Sequence, residues 1–247
     1  HFFIFKFDND LFIFILFAFY AKNKKMTENT TFFVFSFFKV DPIWRWLSDL
    51  EKQDAGQQLD AELKNNEIMY RIYLTIGIRS DADFLIWIAD KSLEKVQNVF
   101  SKIYKTTLGK YISTSHVYVS ATRPSIYSKA PKGHGWMAND EQKKFVIVYP
   151  FIKTREWYLL PPEQRQEMMD EHIEVGRKYP QILLNTTYSF GIGDQDFMLA
   201  FEADDLSTFQ DLIMDLRKTK VSKYVTVDTP MIVCIKKDVL SMVQGLG

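Results

Sequence analysis

The residues best placed to do chemistry lie between Tyr149 and Gly176. A strand ends in Tyr149-Pro150-Phe151, and a short link follows that carries Lys153 and Trp157-Tyr158-Leu159-Leu160-Pro161. The spacing then predicts a helix over Pro162–Lys178. Pro162 suits a first helical position, where its missing N–H costs nothing. Glu163 and Glu167 complement the positive end of the helix dipole, and Arg177 and Lys178 the negative end. At 3.6 residues per turn Met168, His172 and Val175 share one stripe, with Gly176 one turn beyond the histidine. An imidazole on an apolar stripe, beside a position with no side chain, could face a bulky flat ligand. The same pattern fits a hydrogen-bonded histidine at a helix boundary, and spacing alone leaves both readings open.

The elements that must position these groups emerge from an internal repeat. Asp83-Phe84-Leu85-Ile86 and Asp196-Phe197-Met198-Leu199 begin similar segments 113 positions apart. At that offset Leu93 matches Leu206, Lys105-Thr106 matches Lys218-Thr219, and Lys110-Tyr111 matches Lys223-Tyr224. Gly77-Ile78 pairs with Gly191-Ile192 once one residue is gapped, and the aromatic strand Phe32 to Phe38 falls opposite Phe145 to Phe151. The first half reads as strand Phe32–Lys39, helix Ile43–Lys64 with Gly56 as a point of breakage, hairpin Met69–Ile78 and Phe84–Ala89, a helix through Leu93 and Ile103, and strand Tyr111–Val119. The second half reads as strands Phe145–Ile152, Ile182–Phe190, Phe197–Glu202 and Tyr224–Ile235, with helices Pro162–Lys178 and Leu206–Arg217. Each half is β-α-β-β-α-β, a ferredoxin-like pattern, and two in tandem give an α+β chain. The expected division is a leader over 1–25, a first half over 26–121, a Pro- and Gly-bearing loop over 122–143, a second half over 144–236 and a tail over 237–247.

Residues 1–25 are compositionally apart, holding eight of the 21 phenylalanines. The apolar run from Leu11 to Tyr20 falls well short of the ~20 residues of a spanning helix, and nothing after it resembles a signal-peptidase site. The expectation is that Met26 is the natural start and that the leader is spurious or unstructured, with an interfacial anchor as the alternative. From Met26 onward 222 residues remain, enough for one large or two small cores. Lysine plus arginine balance aspartate plus glutamate at 31 each. Setting aside the leader's four lysines and two aspartates leaves 27 against 29. That neutrality argues against nucleic-acid binding. Cys234 stands alone, which gives no intrachain disulfide or cysteine metal cluster and suits a reducing cytoplasm.

Four segments of the second half carry a resemblance. They are Tyr149-Pro150-Phe151-Ile152-Lys153-Thr154, Glu156-Trp157-Tyr158-Leu159-Leu160-Pro161, Glu171-His172-Ile173-Glu174-Val175-Gly176-Arg177-Lys178-Tyr179-Pro180, and Phe190-Gly191-Ile192-Gly193-Asp194 running into Asp196-Phe197 and Phe201-Glu202-Ala203-Asp204-Asp205-Leu206. In this order and spacing they resemble the chlorite dismutase-like haem proteins, and within them the coproheme decarboxylases. The resemblance implies two ferredoxin-like halves forming an open barrel of the dimeric α+β type, a porphyrin in the second half, and a homopentamer. It implies His172 as the axial iron ligand and Tyr149 as the catalytic tyrosine that passes an electron hole as a radical. It implies Lys153 as a propionate contact, with a solvated loop lysine as the alternative, and Pro150, Phe151, Ile152 and Trp157 around the porphyrin, Trp157 packing against the haem-bearing helix. Ser222 lies near a serine that binds propionate in part of the family; a backbone-capping hydroxyl is its alternative.

Departures narrow the chemistry. Chlorite-degrading members carry a distal arginine thirteen residues after the axial histidine, where this chain has Asn185. The resemblance thus places Asn185 on the distal side of the cofactor, where an amide can hydrogen-bond a ligand but supplies no fixed positive charge, which disfavours chlorite as substrate. Other members use a distal histidine from the loop between the halves, and His134 is the histidine there; the residue type suits deprotonating peroxide, and a solvated loop side chain is the alternative. His116, in mid-strand, reads as structural. The expected activity is a cytoplasmic coproheme decarboxylase that converts iron coproporphyrin III to haem b with hydrogen peroxide. In it coproheme is both substrate and cofactor. The alternative is a haem-binding protein or weak peroxidase on the same fold, without decarboxylase activity.

Overall fold

A computed structural model describes residues 30–125, 127 and 142–247. Its strands are β1 (Phe32–Val40), β2 (Met69–Leu74), β3 (Phe84–Asp90), β4 (Ile112–Ala121), β5 (Phe145–Lys153), β6 (Leu183–Tyr188), β7 (Phe197–Ala203), β8 (Val225–Val227) and β9 (Ile232–Lys237). Its α-helices are α1 (Asp49–Asn65), α2 (Leu93–Ile103), α3 (Arg155–Leu159), α4 (Pro162–Arg177), α5 (Leu206–Arg217) and α6 (Val239–Gln244). The 113-residue offset holds for β1 and β5, α1 and α4, β3 and β7, α2 and α5, and β4 and β8. The two hairpin turns match as well: Gly77 and Gly191 have φ of +75° and +74°, a left-handed conformation that favours glycine.

The strands run β7-β6-β4-β1-β3-β2-β9-β5-β8, and β5 also pairs with β7, so eight strands close a ring with β8 appended. The expected open barrel is therefore closed, although the β4–β6 seam is the single pair Ala121↔Tyr188. Strand alternation sorts the side chains into an interior and an outer layer. Phe33, Phe35, Phe37, Leu85, Trp87 and Val148 fill the interior. Val34, Phe38, Phe84, Ile86 and Ile88 face outward under α1, α2 and α6. Ile147, Tyr149 and Phe201 face outward in the second half, packing with Phe209 and Leu212 of α5. This double burial explains why β1 and β3 read as unbroken apolar runs.

Three local expectations change. The Ile43–Lys64 helix is two pieces: a 3-10 turn over Pro42–Trp46, then α1, which starts where Ser48 and Glu51 form a reciprocal capping box. Gly56 does not break α1; it lets α6 approach, since a Cβ there would sit 3.2 Å from Leu240 Cδ2. Tyr224–Ile235 is likewise divided, into β8 and β9 with a cis Thr229–Pro230 peptide between them. Residues 237–247 are more than a tail: Val239, Met242, Val243 and Leu246 are buried in the first-half core.

Candidate functional site

The two matched helices meet their sheets differently. In α1 the stripe Ala55, Leu59 and Leu63 is fully buried. At the 113-residue offset the same stripe of α4 reads Met168, His172 and Gly176. None of the sixteen residues of α4 is fully buried. His172 thus holds the place of a core leucine, and Gly176 holds the place of another. A Cβ built on Gly176 meets nothing within 4 Å. Where the first half fills the space under its helix with core, the second leaves α4 with no fully buried residue and with open space at Gly176, a cleft on the His172 stripe of the helix.

The His172 ring is largely enclosed, and its Nδ1 is buried with no hydrogen-bond partner. Burial, with the nearby Lys153 charge adding to it, pushes its pKa down to about 4. A ring neutral at physiological pH keeps a lone pair for a metal. Leaving a buried nitrogen unpaired costs about 1–3 kcal/mol, a penalty that simple packing does not call for.

Lys153 closes the end of β5. Its ammonium lies 4.0 Å from the Trp157 ring centroid and 5.7 Å from that of Phe151. Burial lowers its pKa to about 8, against a smaller opposing pull from Asp196. That carboxylate is already occupied: Asp196 Oδ2 accepts from the Lys153 backbone N–H at 2.9 Å and from the Tyr158 hydroxyl at 2.6 Å. Lys153 is thus a half-buried cation with no carboxylate partner among the described residues. Trp157, in α3, is buried and packs against Tyr224 and Tyr127.

Tyr149 stands on the outer face of β5 and stacks on Phe201, centroids 6.0 Å apart. Burial raises its phenol pKa well above the usual value, with Asp228 adding to the rise. Its hydroxyl makes no hydrogen bond among the described residues. Across the ladder Tyr149 pairs with Leu199, which pairs with Thr186. The three share one face.

The structure separates other expected residues from this cleft. Pro150 and Ile152 alternate with Tyr149 and line a different cleft of about 300 Å³ at the barrel mouth, with Tyr118, Gln195 and Thr229. Asn185 pairs with Ala200, an interior residue, so its side chain also points into the barrel. There its amide donates to Glu202 Oε1 at 2.9 Å, and Arg71 donates to Glu202 Oε2 at 2.7 Å. Counting thirteen residues from the histidine lands on the wrong face of β6. Thr186, which sequence reasoning missed, is on the cleft face, and its signal was the period-two alternation beside Asn185. Ser222 donates its hydroxyl to the backbone carbonyls of Thr219 and Arg217, the capping alternative. His116 bonds Asp81 at 3.1 Å and stacks on Tyr118, away from α4. His134 lies outside the described residues.

An eight-stranded α+β barrel made of two matched halves, with one outer helix incompletely buried and carrying one imidazole nitrogen without a hydrogen-bond partner, defines the class. The chain belongs to the chlorite dismutase family, whose model matches residues 50–237. It is 32% identical over 212 residues to the coproheme decarboxylase of Mycolicibacterium smegmatis, covering 83% of this chain and 89% of that one. A double mutant of chlorite dismutase from Candidatus Nitrospira defluvii superposes with a TM-score of 0.79 at 21% identity, covering 87% of this chain and 94% of that one. The same enzyme in complex with imidazole gives 0.78 at 20% identity, with 87% and 94% coverage. Among the described residues no helix is long and apolar enough to cross a membrane, and no three or more His, Cys, Asp or Glu cluster as a metal site.

Proposed function

We propose that the chain is a coproheme decarboxylase, converting two propionates of iron coproporphyrin III to vinyl groups with hydrogen peroxide. The observation that carries this reading is His172: an enclosed, neutral imidazole with an unpaired nitrogen at the position of a core leucine, near an ammonium that has no carboxylate partner among the described residues. The residues fit a porphyrin iron, and its 32%-identical relative is a coproheme decarboxylase. The absent arginine at Asn185 and Thr186 leaves no fixed distal positive charge on β6, which disfavours chlorite as substrate.

In this reading the His172 lone pair holds the iron, and Lys153 holds a carboxylate, compensating a charge withdrawn from water. The bound iron with peroxide supplies the oxidising chemistry. For each propionate one carbon dioxide leaves, one hydrogen is removed from the neighbouring carbon, and one peroxide is reduced to two waters. Tyr149 would be the chain's own redox group: its buried phenol stays protonated, so it would give an electron and the Oη proton together to the peroxide being reduced. Oη would then take one hydrogen from the propionate carbon, and the second electron, released with carbon dioxide, would go with a solvent proton to the same peroxide. The aromatic wall of Phe201 and Phe151 excludes water from that exchange. We extend the proposal to a homopentamer and a cytoplasmic location.

Titration with iron coproporphyrin III, followed through the Soret band and then with stepwise peroxide, tests it. Conversion to haem b in two steps is the expected result. Binding without conversion would leave a haem carrier, and absence of binding would refute the reading.

A further inference from the structure

Arg165 is a further half-buried cation without a carboxylate partner among the described residues. It lies on α4 seven residues before His172, which is two helical turns and about 20° of rotation away, so the two share the cleft-facing stripe through Met168. Seven residues at the helical rise are about 10 Å along the axis. The guanidinium Nε is buried with no hydrogen-bond partner, and no ion pair to Arg165 exists among the described residues. The flanking sequence offers none: the positions three and four residues away are Pro162, Pro161, Met168 and Met169, where a surface arginine ordinarily finds a carboxylate. Nearby polar groups are engaged elsewhere. Gln166 Nε2 donates to Tyr127 O at 3.2 Å and to Asp170 at 2.7 Å, and the Glu171 carboxylate accepts from the Lys220 backbone at 3.1 Å. A half-buried guanidinium with unused donors is held for an anion, and its planar fork matches a carboxylate.

We propose that Arg165 binds a carboxylate of the tetrapyrrole at a different edge from the one Lys153 serves. Lys153 reaches the cleft from the strand end beside Trp157, whereas Arg165 reaches it from the first turn of α4. Standing on different elements, one at the end of β5 and one in the first turn of α4, the two cations select a flat ligand that carries carboxylates at more than one edge. The cleft thereby distinguishes a tetracarboxylate porphyrin from a dicarboxylate one whose two carboxylates lie side by side, and its grip loosens as carboxylates are lost. This inference rests on the reading of the cleft as a porphyrin site.

Metal-free porphyrins test it without iron ligation or turnover. The full chain is titrated by fluorescence with coproporphyrin III, with four carboxylates, and protoporphyrin IX, with two adjacent ones. Arg165→Gln and Arg165→Met should each weaken coproporphyrin binding about tenfold or more, the scale of one charge-assisted contact, and change protoporphyrin binding less than twofold. Their far-UV ellipticity and melting temperature should match the parent's. Wild-type coproporphyrin affinity in both variants, or equal weakening for both porphyrins, would overturn the proposal while leaving the site reading in place. Loss of fold in both variants would make Arg165 a structural residue and likewise overturn it. A parent chain that binds neither porphyrin would sink the site reading itself, and this inference with it.

Discussion

The Lys153 ammonium lies 4.0 Å from the centroid of the Trp157 ring, over a side chain that is itself buried. A cation–π contact lets a desolvated ammonium stay charged without a carboxylate. It does so incompletely, since burial brings the pKa down to about 8. In the ligand-free chain Lys153 therefore loses its charge as pH rises through 8, and a bound carboxylate loses its counter-ion. Affinity for metal-free coproporphyrin III, measured from pH 7 to 10, should fall by up to about tenfold. Lys153→Arg, which stays charged throughout, should flatten that fall; an equally steep profile in the variant would assign the titration elsewhere.

His172 makes the ligand-free chain sensitive to acid. Its folded pKa is about 4, against an unfolded value of about 6.5. Between these values the unfolded chain binds the extra proton, so His172 adds stability above about pH 6.5 that is lost as pH falls toward 4. Carboxylates contribute in the same window, so the informative quantity is a difference between chains. His172→Gln should show a shallower loss of melting temperature from pH 6.5 to 4 than the parent. The same variant should lose the iron-ligation signature with iron coproporphyrin III.

Tyr149→Phe removes one oxygen from the cleft face and keeps the ring that stacks on Phe201. Because the hydroxyl has no hydrogen-bond partner among the described residues, the change strands nothing, and stability should move by less than about 1 kcal/mol. The variant should bind iron coproporphyrin III with a parental spectrum yet yield no haem b on peroxide addition. Product analysis by mass spectrometry checks this, and normal turnover would take Tyr149 out of the mechanism.

Gly176 occupies the place that Leu63 fills in the first half, with open space where a side chain would go. Gly176→Leu should close the cleft from the helix side. It should also stabilise α4 by up to about 1 kcal/mol, since glycine is a poor helix former. A higher melting temperature together with lost porphyrin binding is the expected pair of results. Undiminished binding would mean that the ligand does not reach under this turn.

How far the fold could be read from residues alone depended on what repeats. The 113-residue offset, the aromatic strands and the glycine at each hairpin are local patterns, and they carried the element order. Ring closure through the β2–β9 and β4–β6 seams joins the two halves by long-range pairings with no local mark. The seating of α6 was hidden for the same reason: a short apolar stretch looks alike whether it trails in solvent or fills a core. At the site, types were legible and faces were not. Tyr149, Lys153 and His172 stand out by identity, but a strand sends neighbours to opposite sides, so Pro150, Ile152 and Asn185 accompany them in sequence and leave them in space. Arg165 escaped notice because its signal is a negative one, the lack of any carboxylate a turn away.

Asn185 and Thr186 provide the sharpest test of that face assignment. Asn185 lies inside the barrel and donates to Glu202, whose other oxygen accepts from Arg71, so the amide is part of a buried charged network joining the two halves. Asn185→Ala leaves a buried carboxylate oxygen short of a donor, which should cost about 1–3 kcal/mol. Glu202→Gln, which removes the carboxylate charge that Arg71 pairs with at 2.7 Å, should cost about 3–5 kcal/mol. Neither change touches the cleft, so porphyrin spectra of the folded variants should match the parent's. Thr186 faces the cleft in line with Leu199 and Tyr149, and its hydroxyl makes no hydrogen bond among the described residues. Thr186→Val is nearly isosteric; it should leave the melting temperature within a few degrees of the parent's and alter the peroxide step. Stopped-flow mixing of the iron coproporphyrin complexes with peroxide, alongside thermal melts, separates the two positions. If Asn185→Ala slows the reaction with peroxide while Thr186→Val leaves it unchanged, the faces have been assigned the wrong way round.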